Sequence, residues 1–233
     1  MFKHRSYQKE LLDAESIPKQ LLWQNLKELE FINTYLGGHQ ITRNALQHLL
    51  PLLRLKANVK VVDIGCGGGD SLKALHNWFD SKKIKAQILG IDLKPDCIEY
   101  ASNNCKDISQ IQLLCDDFRN IFSAHQHIDI VHASLFCHHF TENEIVNFIK
   151  ICKAQGAIFV INDLERNAIA YYAIRWLTKL FSRSPLVKHD APLSVLRGFK
   201  KTAWKAMLAQ AEINHYSLKN KWAFRHQLII YPN

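Results

Sequence analysis

The chain lacks long hydrophobic runs. None of its 233 residues belongs to a stretch that approaches the roughly 18 apolar residues of a membrane span. The beginning, MFKHRSYQKELLDAES, has no apolar core of the kind that signal peptides contain. The six cysteines form no C-x-x-C pair, so we expect small buried side chains in a reducing compartment rather than zinc ligands or disulfides. These absences predict a soluble, cytoplasmic protein.

Two nucleotide-binding signatures are also missing from the glycine-rich stretch VVDIGCGGGD, residues 61–70. No Gly-Lys-Ser/Thr follows the glycines, which removes the case for a nucleoside triphosphate. A dinucleotide fingerprint needs a third glycine or alanine three residues after the second glycine, and Asp70 occupies that position. NAD and FAD therefore become the weaker choices.

The same stretch has the pattern of a strand, a tight turn and a helix. Gly65, Gly67 and Gly69 allow positive φ and a close approach of backbone to a ligand. With Asp63, they resemble motif I of class I S-adenosylmethionine-dependent methyltransferases, an acidic residue followed by Gly-x-Gly-x-Gly. The resemblance implies S-adenosylmethionine as cofactor, with S-adenosylhomocysteine as product, and places Cys66 in the binding loop. A glycine turn in an ordinary βαβ unit is the alternative that this motif alone leaves open.

The pattern along the chain predicts an α/β fold. Helical periodicity covers residues 8–56, with one helix starting near Pro18 and ending at Gly37-Gly38, and another from Ile41 or Thr42 until Pro51 disturbs it. Strands and helices then alternate, which indicates a parallel sheet covered on both faces. We predict strands at 59–64, 86–92, 110–115, 128–134 and 156–162, helices near 70–80, 95–105 and 141–153, and an antiparallel hairpin of 213–219 with 225–231.

This arrangement resembles the Rossmann-like class I methyltransferase fold, a mostly parallel seven-stranded sheet with a terminal antiparallel hairpin. We expect a helical cap at residues 1–56 and an S-adenosylmethionine-binding domain at 57–233, with a helical lid insertion at 164–198. In such enzymes, N-terminal helices commonly cap the cofactor cleft. Gly37, Gly38 and His39 then either lie near the cofactor or form a simple joint between helices.

Acidic residues follow further predicted strands, and the carboxyl ends of parallel strands meet at one crevice. Asp92, 23 positions after the last motif glycine, is placed to accept hydrogen bonds from the ribose hydroxyls, or else to cap the next helix. Asp116 matches the family position that accepts from the adenine amino group. The resemblance assigns the remaining cofactor contacts to Leu93, Asp117, Phe118 and Ser134.

Three histidines are candidate general bases, because an imidazole titrates in the range needed to deprotonate a phenol or an enol. His138 and His139 follow the fourth strand, and His189 lies beside Asp190 in a predicted loop. For each, a structural role is the alternative. His125 and His127 add no metal-ligand spacing to the pair at 138–139, so we predict no metal.

All the excess positive charge lies toward the end of the chain. Residues 1–163 contain 18 basic and 18 acidic side chains, whereas residues 164–233 contain 12 and 3. An anionic membrane surface, nucleic acid or an acidic substrate would suit this charge, and a solvated basic face is the alternative.

The aromatic lid predicts a methyltransferase for a small hydrophobic acceptor, phenolic or polyketide-like, that methylates oxygen. The absence of an Asp/Asn-Pro-Pro-Tyr/Phe signature counts against N6-adenine methylation. The rival hypotheses are an RNA methyltransferase, an NAD-dependent oxidoreductase and a non-catalytic cofactor-binding protein.

Overall fold

The computed structural model describes residues 2–122 and 127–232, so His125 lies outside the described residues. Within these ranges, seven strands form one sheet: β1 Val59–Ile64, β2 Ala86–Asp92, β3 Ile111–Cys115, β4 Ile130–Ser134, β5 Ile158–Leu164, β6 Tyr216–Lys221 and β7 Arg225–Ile230. The α-helices are α1 Lys19–Tyr35, α2 Gly38–Leu53, α3 Asp70–Ser81, α4 Pro95–Cys105, α5 Phe118–Ile121, α6 Glu142–Ala154, α7 Ala168–Phe181, α8 Pro185–Arg197 and α9 Lys201–Gln210.

The strand order is β3-β2-β1-β4-β5-β7-β6. The first five strands are mutually parallel, and β7 runs antiparallel to both of its neighbours, β5 and β6. The predicted mostly parallel sheet with a terminal antiparallel hairpin is therefore confirmed. Because the chain leaves β1 toward β2 on one side and returns to β4 on the other, a crevice opens beyond the carboxyl ends of these central strands.

Apolar side chains from both faces of the sheet form two main cores. One contains the inner sides of α6 and α9, with Phe148 and Trp204 among its largest members. The other contains α2 and α3, with Leu46, Leu49 and Leu75 packed on the opposite face. Such two-sided burial explains why the central strands are nearly continuous apolar runs.

The helical predictions need two corrections. Helix α2 begins at Gly38 and continues to Leu53, with Pro51 inside its last turn, where the missing N–H removes a single backbone bond. The segment around His189 is not a loop: it is helix α8, which starts with Pro185 in its first turn and Ser184 as its cap, the Ser184 Oγ accepting from the Val187 N–H at 3.3 Å.

Among the helices of the described residues, none combines the length and the apolar character needed to cross a bilayer.

Candidate cofactor and acceptor site

The loop between β1 and α3 contains three glycines with positive φ: +64° at Gly65, +52° at Gly67 and +79° at Gly69. Their surroundings differ. A Cβ at Gly65 would lie 2.1 Å from Cδ2 of Phe136, whereas a Cβ at Gly67 would meet only Cδ2 of Leu26, at 3.6 Å. Gly67 is therefore the position where the loop presents bare backbone to open space.

That open space is a cavity of about 340 Å³ at the carboxyl ends of β1, β2 and β4. Nine of the eleven predicted cofactor contacts line it: Gly65, Cys66, Gly67, Asp92, Leu93, Asp116, Asp117, Phe118 and Ser134. Asp92 is tied to the loop, because its Oδ2 accepts from the Gly67 N–H at 3.0 Å and its Oδ1 from the Lys94 N–H at 2.9 Å. Burial raises the pKa of Asp92, and these backbone hydrogen bonds oppose that shift.

The two acidic residues after β3, Asp116 and Asp117, have different hydrogen-bond partners. Asp116 Oδ1 accepts from its neighbour's backbone N–H at 2.7 Å and from Nδ2 of Asn120 at 2.8 Å, so the carboxylate is fixed at the cavity edge. Asp117 is the N-cap of α5 and accepts from the Arg119 N–H at 2.9 Å. Phe118 lines the cavity and also packs edge-on against Phe136.

The other two predicted contacts, Asp63 and Gly69, are not among the residues that line this cavity. Asp63 is buried one layer beneath it, because its register partner on β4 is His132, whose Nδ1 lies 2.6 Å from Asp63 Oδ1. His132 Nε2 in turn lies 3.0 Å from Oγ1 of Thr42. Gly69 precedes α3 and packs toward α4, where a Cβ would lie 3.0 Å from Sγ of Cys105. Both residues support the loop from below.

A second cavity, of about 360 Å³, adjoins the first and shares four wall residues with it: Leu12, Leu29, Leu135 and His139. Its remaining walls are mostly apolar and come from α1, α7, α8 and the turn between β6 and β7; they include Ile32, Ala170, Ile174, Leu177, Val195 and Phe224. An apolar chamber beside a cofactor-sized cavity has the properties of a site for a small hydrophobic molecule.

Two of the three candidate histidines line this second cavity. His138 Nδ1 lies 2.7 Å from Asp163 Oδ1, and His139 Nδ1 lies 2.8 Å from Asp13 Oδ1. Burial acts to raise the pKa values of both carboxyls, but the pairing with the histidines outweighs it and lowers them, so both acids are ionised acceptors. The Nδ1 atoms must then donate, which leaves each Nε2 directed elsewhere.

His189 is not part of either cavity wall. It lies on α8 with 41% of its side chain exposed, and its Nδ1 bonds to Asp190 Oδ1 at 2.7 Å. Asp190 does line the second cavity. The sequence neighbours His189 and Asp190 point differently because α8 is a helix, on which adjacent residues are about 100° apart.

The amino-terminal segment contributes site residues that the sequence did not predict. Glu10, Leu12 and Asp13 lie in cavity walls. Glu10 Oε1 lies 3.6 Å from His138 Nε2. One carboxylate oxygen of Glu10 and one ring nitrogen each of His138 and His139 lie within 4.8 Å of one another, so the three side chains form a cluster. No local spacing could predict this grouping, since Glu10 is separated from His138 by more than half of the chain. Helices α1 and α3 add further unpredicted walls with Leu26, Leu29, Asn33, Asp70 and Ser71.

The joint at Gly37-Gly38 lies behind this wall. His39 Nε2 is 3.4 Å from Asp70 Oδ2, and Asp70 also accepts from Nδ2 of Asn33 at 3.1 Å. Burial lowers the pKa of His39, with Asp70 opposing. Gly37, Gly38 and His39 are not among the residues that line the two cavities, and His39 reaches the site through its contact with Asp70.

Comparisons with known proteins agree with this geometry. Residues 61–155 match a family model described as a methyltransferase domain. The plantazolicin methyltransferase BpumL in complex with SAH has a similar structure, with a TM-score of 0.66, 14% identity, and coverage of 92% of this chain and 95% of that one. A SAM-dependent methyltransferase from Aquifex aeolicus gives a TM-score of 0.59, 14% identity, and coverage of 92% and 98%.

A third similar structure, from Nostoc punctiforme PCC 73102 and provisionally described as an O-methyltransferase, gives a TM-score of 0.61 at 14% identity. It aligns with 90% of this chain, which spans only 60% of that protein. At such identities these likenesses establish the fold.

The methyltransferase-domain match at residues 61–155, the sheet topology and the glycine loop that opens on a cavity together support a class I S-adenosylmethionine-dependent methyltransferase. The structure of BpumL, which contains SAH, supports S-adenosylmethionine as the cofactor of this class.

Proposed function

We propose that this enzyme methylates a hydroxyl oxygen of a small hydrophobic acceptor, phenolic or polyketide-like in character. The observation that carries the proposal is the apolar second cavity, which adjoins the cofactor cavity and has its polar groups at one end. Methyl transfer needs chiefly alignment of the reacting atoms and exclusion of water, and such positioning supplies roughly 7–11 kcal/mol of barrier reduction.

The residues of the first cavity fit the cofactor. Bare backbone at Gly67 permits close contact that a Cβ would obstruct, and Asp92 offers carboxylate oxygens for ribose hydroxyls. Asp116 is our candidate for the adenine amino group. When bound, S-adenosylmethionine supplies an electrophilic methyl group. Support for Asp92 would be an affinity for S-adenosylhomocysteine about 5–150-fold weaker in Asp92→Asn, measured by calorimetry, with the exposed Asp107→Asn as control.

The polar end of the acceptor cavity offers several groups that can accept a proton from a hydroxyl. Glu10, His138 and His139 line this end, and Asp163 lies behind His138. One structural relative is provisionally an O-methyltransferase, which also supports oxygen as the methylated atom. His138 and His139 are proposed to take part in removing the hydroxyl proton, and His139 contacts both cavities.

The test is methyl transfer from tritiated S-adenosylmethionine to 5-pentylresorcinol, with the product analysed by mass spectrometry. We expect a methyl ether. Ala170→Phe, which places a ring in the second cavity, should abolish transfer while the affinity for S-adenosylhomocysteine stays within about threefold of wild type. The proposal would be contradicted if the methyl group were found on carbon, or if the enzyme methylated tRNA and not 5-pentylresorcinol. It would also be contradicted if Ala170→Phe transferred the methyl group as fast as wild type.

We infer that residues 1–56 form a cap and residues 164–198 a lid over the acceptor cavity. The inner side of α7 lines that cavity, while Trp176 on another side is 62% exposed and Phe181 at the end of the helix is 78% exposed. The chain has five basic and no acidic side chains from Arg166 to Lys188. Exposed aromatic groups among basic ones are typical of helices that bind an anionic membrane surface. We propose such contact, from the cytoplasmic side, as the source of a hydrophobic acceptor.

Vesicle sedimentation tests this contact. Phosphatidylcholine vesicles that contain phosphatidylserine should bind the protein, and pure phosphatidylcholine vesicles should bind it much less, with binding that weakens in high salt. The pair of substitutions Trp176→Ser and Phe181→Ser should abolish binding. Leu55→Ser is the matched control, since Leu55 is 83% exposed and lies outside the lid. Failure to bind either vesicle, or sedimentation as a dimer that the same pair of substitutions disrupts, would contradict membrane contact.

A further inference from the structure

Glu10 is a buried carboxylate, 5% exposed, in a segment without long regular structure. The segment is nevertheless firmly placed. Asp190 Oδ1 accepts from the Leu11 N–H at 2.8 Å and its Oδ2 from the Leu12 N–H at 2.9 Å. Arg5 donates through Nη2 to the backbone oxygen of His138 at 2.6 Å. These contacts fix the Glu10 carboxylate at the polar end of the acceptor cavity.

Three proton acceptors converge at that end. Because Asp163 and Asp13 hold the Nδ1–H groups of the two histidines, the Nε2 atoms have lone pairs when the rings are neutral. Glu10 Oε1 lies 3.6 Å from Nε2 of His138, and Glu10 Oε2 lies 4.0 Å from Nε2 of His139. Such a cluster is stabilised by a positive charge or a proton shared among its members.

A proton suits the cluster better than a divalent cation. Arg197 Nε lies 3.7 Å from Glu10 Oε1, and Arg197 Nη1 donates to Asp13 Oδ2 at 2.6 Å. This guanidinium already supplies fixed positive charge on one side, and a metal ion there would be repelled. Ser194 Oγ donates to Glu10 Oε1 at 2.9 Å, which leaves Oε2 as the less occupied oxygen.

We propose that Glu10 is the catalytic proton acceptor for the substrate hydroxyl, with His138 and Asp163 behind it as a proton relay. The acceptor O–H bond breaks and its proton passes to Glu10; a new O–CH₃ bond forms. The S–CH₃ bond breaks with its electron pair left on sulfur. The inference rests on the proposed function.

The protonation of Glu10 agrees with this role. Burial raises its pKa to about 7, while His139, Arg197 and the Ser194 hydrogen bond oppose the shift and Asp190 adds to it. A carboxyl with a pKa near neutrality both accepts a proton during the reaction and releases it afterwards. An ordinary exposed glutamate would be a much weaker base.

The first test needs no acceptor. In protein labelled with ¹³C at glutamate side chains, one carboxyl signal should titrate near pH 7. It should disappear in Glu10→Gln and shift in His138→Gln, but persist in the exposed control Glu15→Gln. A Glu10 signal that titrates near pH 4.5 would overturn the proposal, and so would a signal displaced by stoichiometric Zn²⁺ at micromolar concentration, because the cluster would then be a metal site.

The second test compares 4-ethylphenol with the more acidic 4-nitrophenol at pH 8. Glu10→Gln should slow methylation of 4-ethylphenol by about 10²–10⁴-fold but that of 4-nitrophenol, already largely ionised, by less than about tenfold. Glu10→Asp should restore part of the loss. Equal losses with both phenols would show that Glu10 only shapes the cavity. If wild type methylates neither phenol, the proposed acceptor class fails, and the titration still decides the role of Glu10.

Discussion

Gly65 and Gly67 both have positive φ, but a Cβ would overlap Phe136 at Gly65 and meet open space at Gly67. Substituting each glycine by alanine therefore distinguishes an effect on stability from an effect on cofactor affinity. Left-handed backbone costs a residue with a Cβ about 1–2 kcal/mol. Gly156 provides the matched control, because its φ is +66° and nothing lies within 4 Å of a Cβ placed there.

We expect Gly156→Ala to lower the free energy of unfolding by about 1–2 kcal/mol, and Gly65→Ala by a further ~1–3 kcal/mol, because its methyl group overlaps Phe136. Gly67→Ala should resemble Gly156→Ala in stability but lose affinity for S-adenosylhomocysteine. Urea unfolding and calorimetry measure the two quantities. Equal stability of the Gly65 and Gly156 variants would contradict the packing around Phe136.

Glu10 should also leave a signature in the pH dependence of stability. Its pKa is raised from 4.5 to about 7 in the folded protein, so the folded state binds more protons than the unfolded chain between these values. The stabilisation from the protonated carboxyl is therefore full below pH 4.5 and is lost as the pH rises to 7. We expect the free energy of unfolding of wild type, relative to Glu10→Gln, to fall by up to about 3 kcal/mol over this window. A constant difference from pH 4 to 8 would argue against the raised pKa.

At the scale of elements, the sequence predicted the strands better than the contacts between parts of the chain that are far apart in sequence. The apolar runs that end in Asp92 and Asp116 predicted both the strands and the edge where the acids meet, since parallel strands bring their carboxyl ends together. The contact between Asp63 and His132 could not be predicted in this way, because the pairing of their strands depends on the order of strands in the sheet. Glu10 was beyond prediction because contacts with α8, far along the chain, place it.

The attachment of the amino-terminal segment to α8 is testable by amide hydrogen exchange. Each Asp190 oxygen holds one backbone N–H, of Leu11 and of Leu12, and hydrogen bonds to charged groups contribute about 1.5–3 kcal/mol. Asp190→Ala should therefore speed exchange at both amides by roughly 10–100-fold. Lys188→Ala, an exposed change on the same helix, should leave them unchanged. Unaltered exchange in Asp190→Ala would mean that other contacts hold the segment.

For the whole molecule, the cofactor cavity draws its walls from the amino-terminal segment, α1 and the strand ends, so ligand binding should stabilise all of them together. At a concentration about 100-fold above its Kd, S-adenosylhomocysteine should raise the free energy of unfolding by about 2.7 kcal/mol. For a chain of this size, that corresponds to a Tm increase of roughly 5–11 °C. NAD at the same concentration should leave the Tm unchanged, because Asp70 stands where a dinucleotide fingerprint needs glycine. Calorimetric scans with each ligand measure both effects, and a larger shift with NAD would reverse the assignment of the cavity.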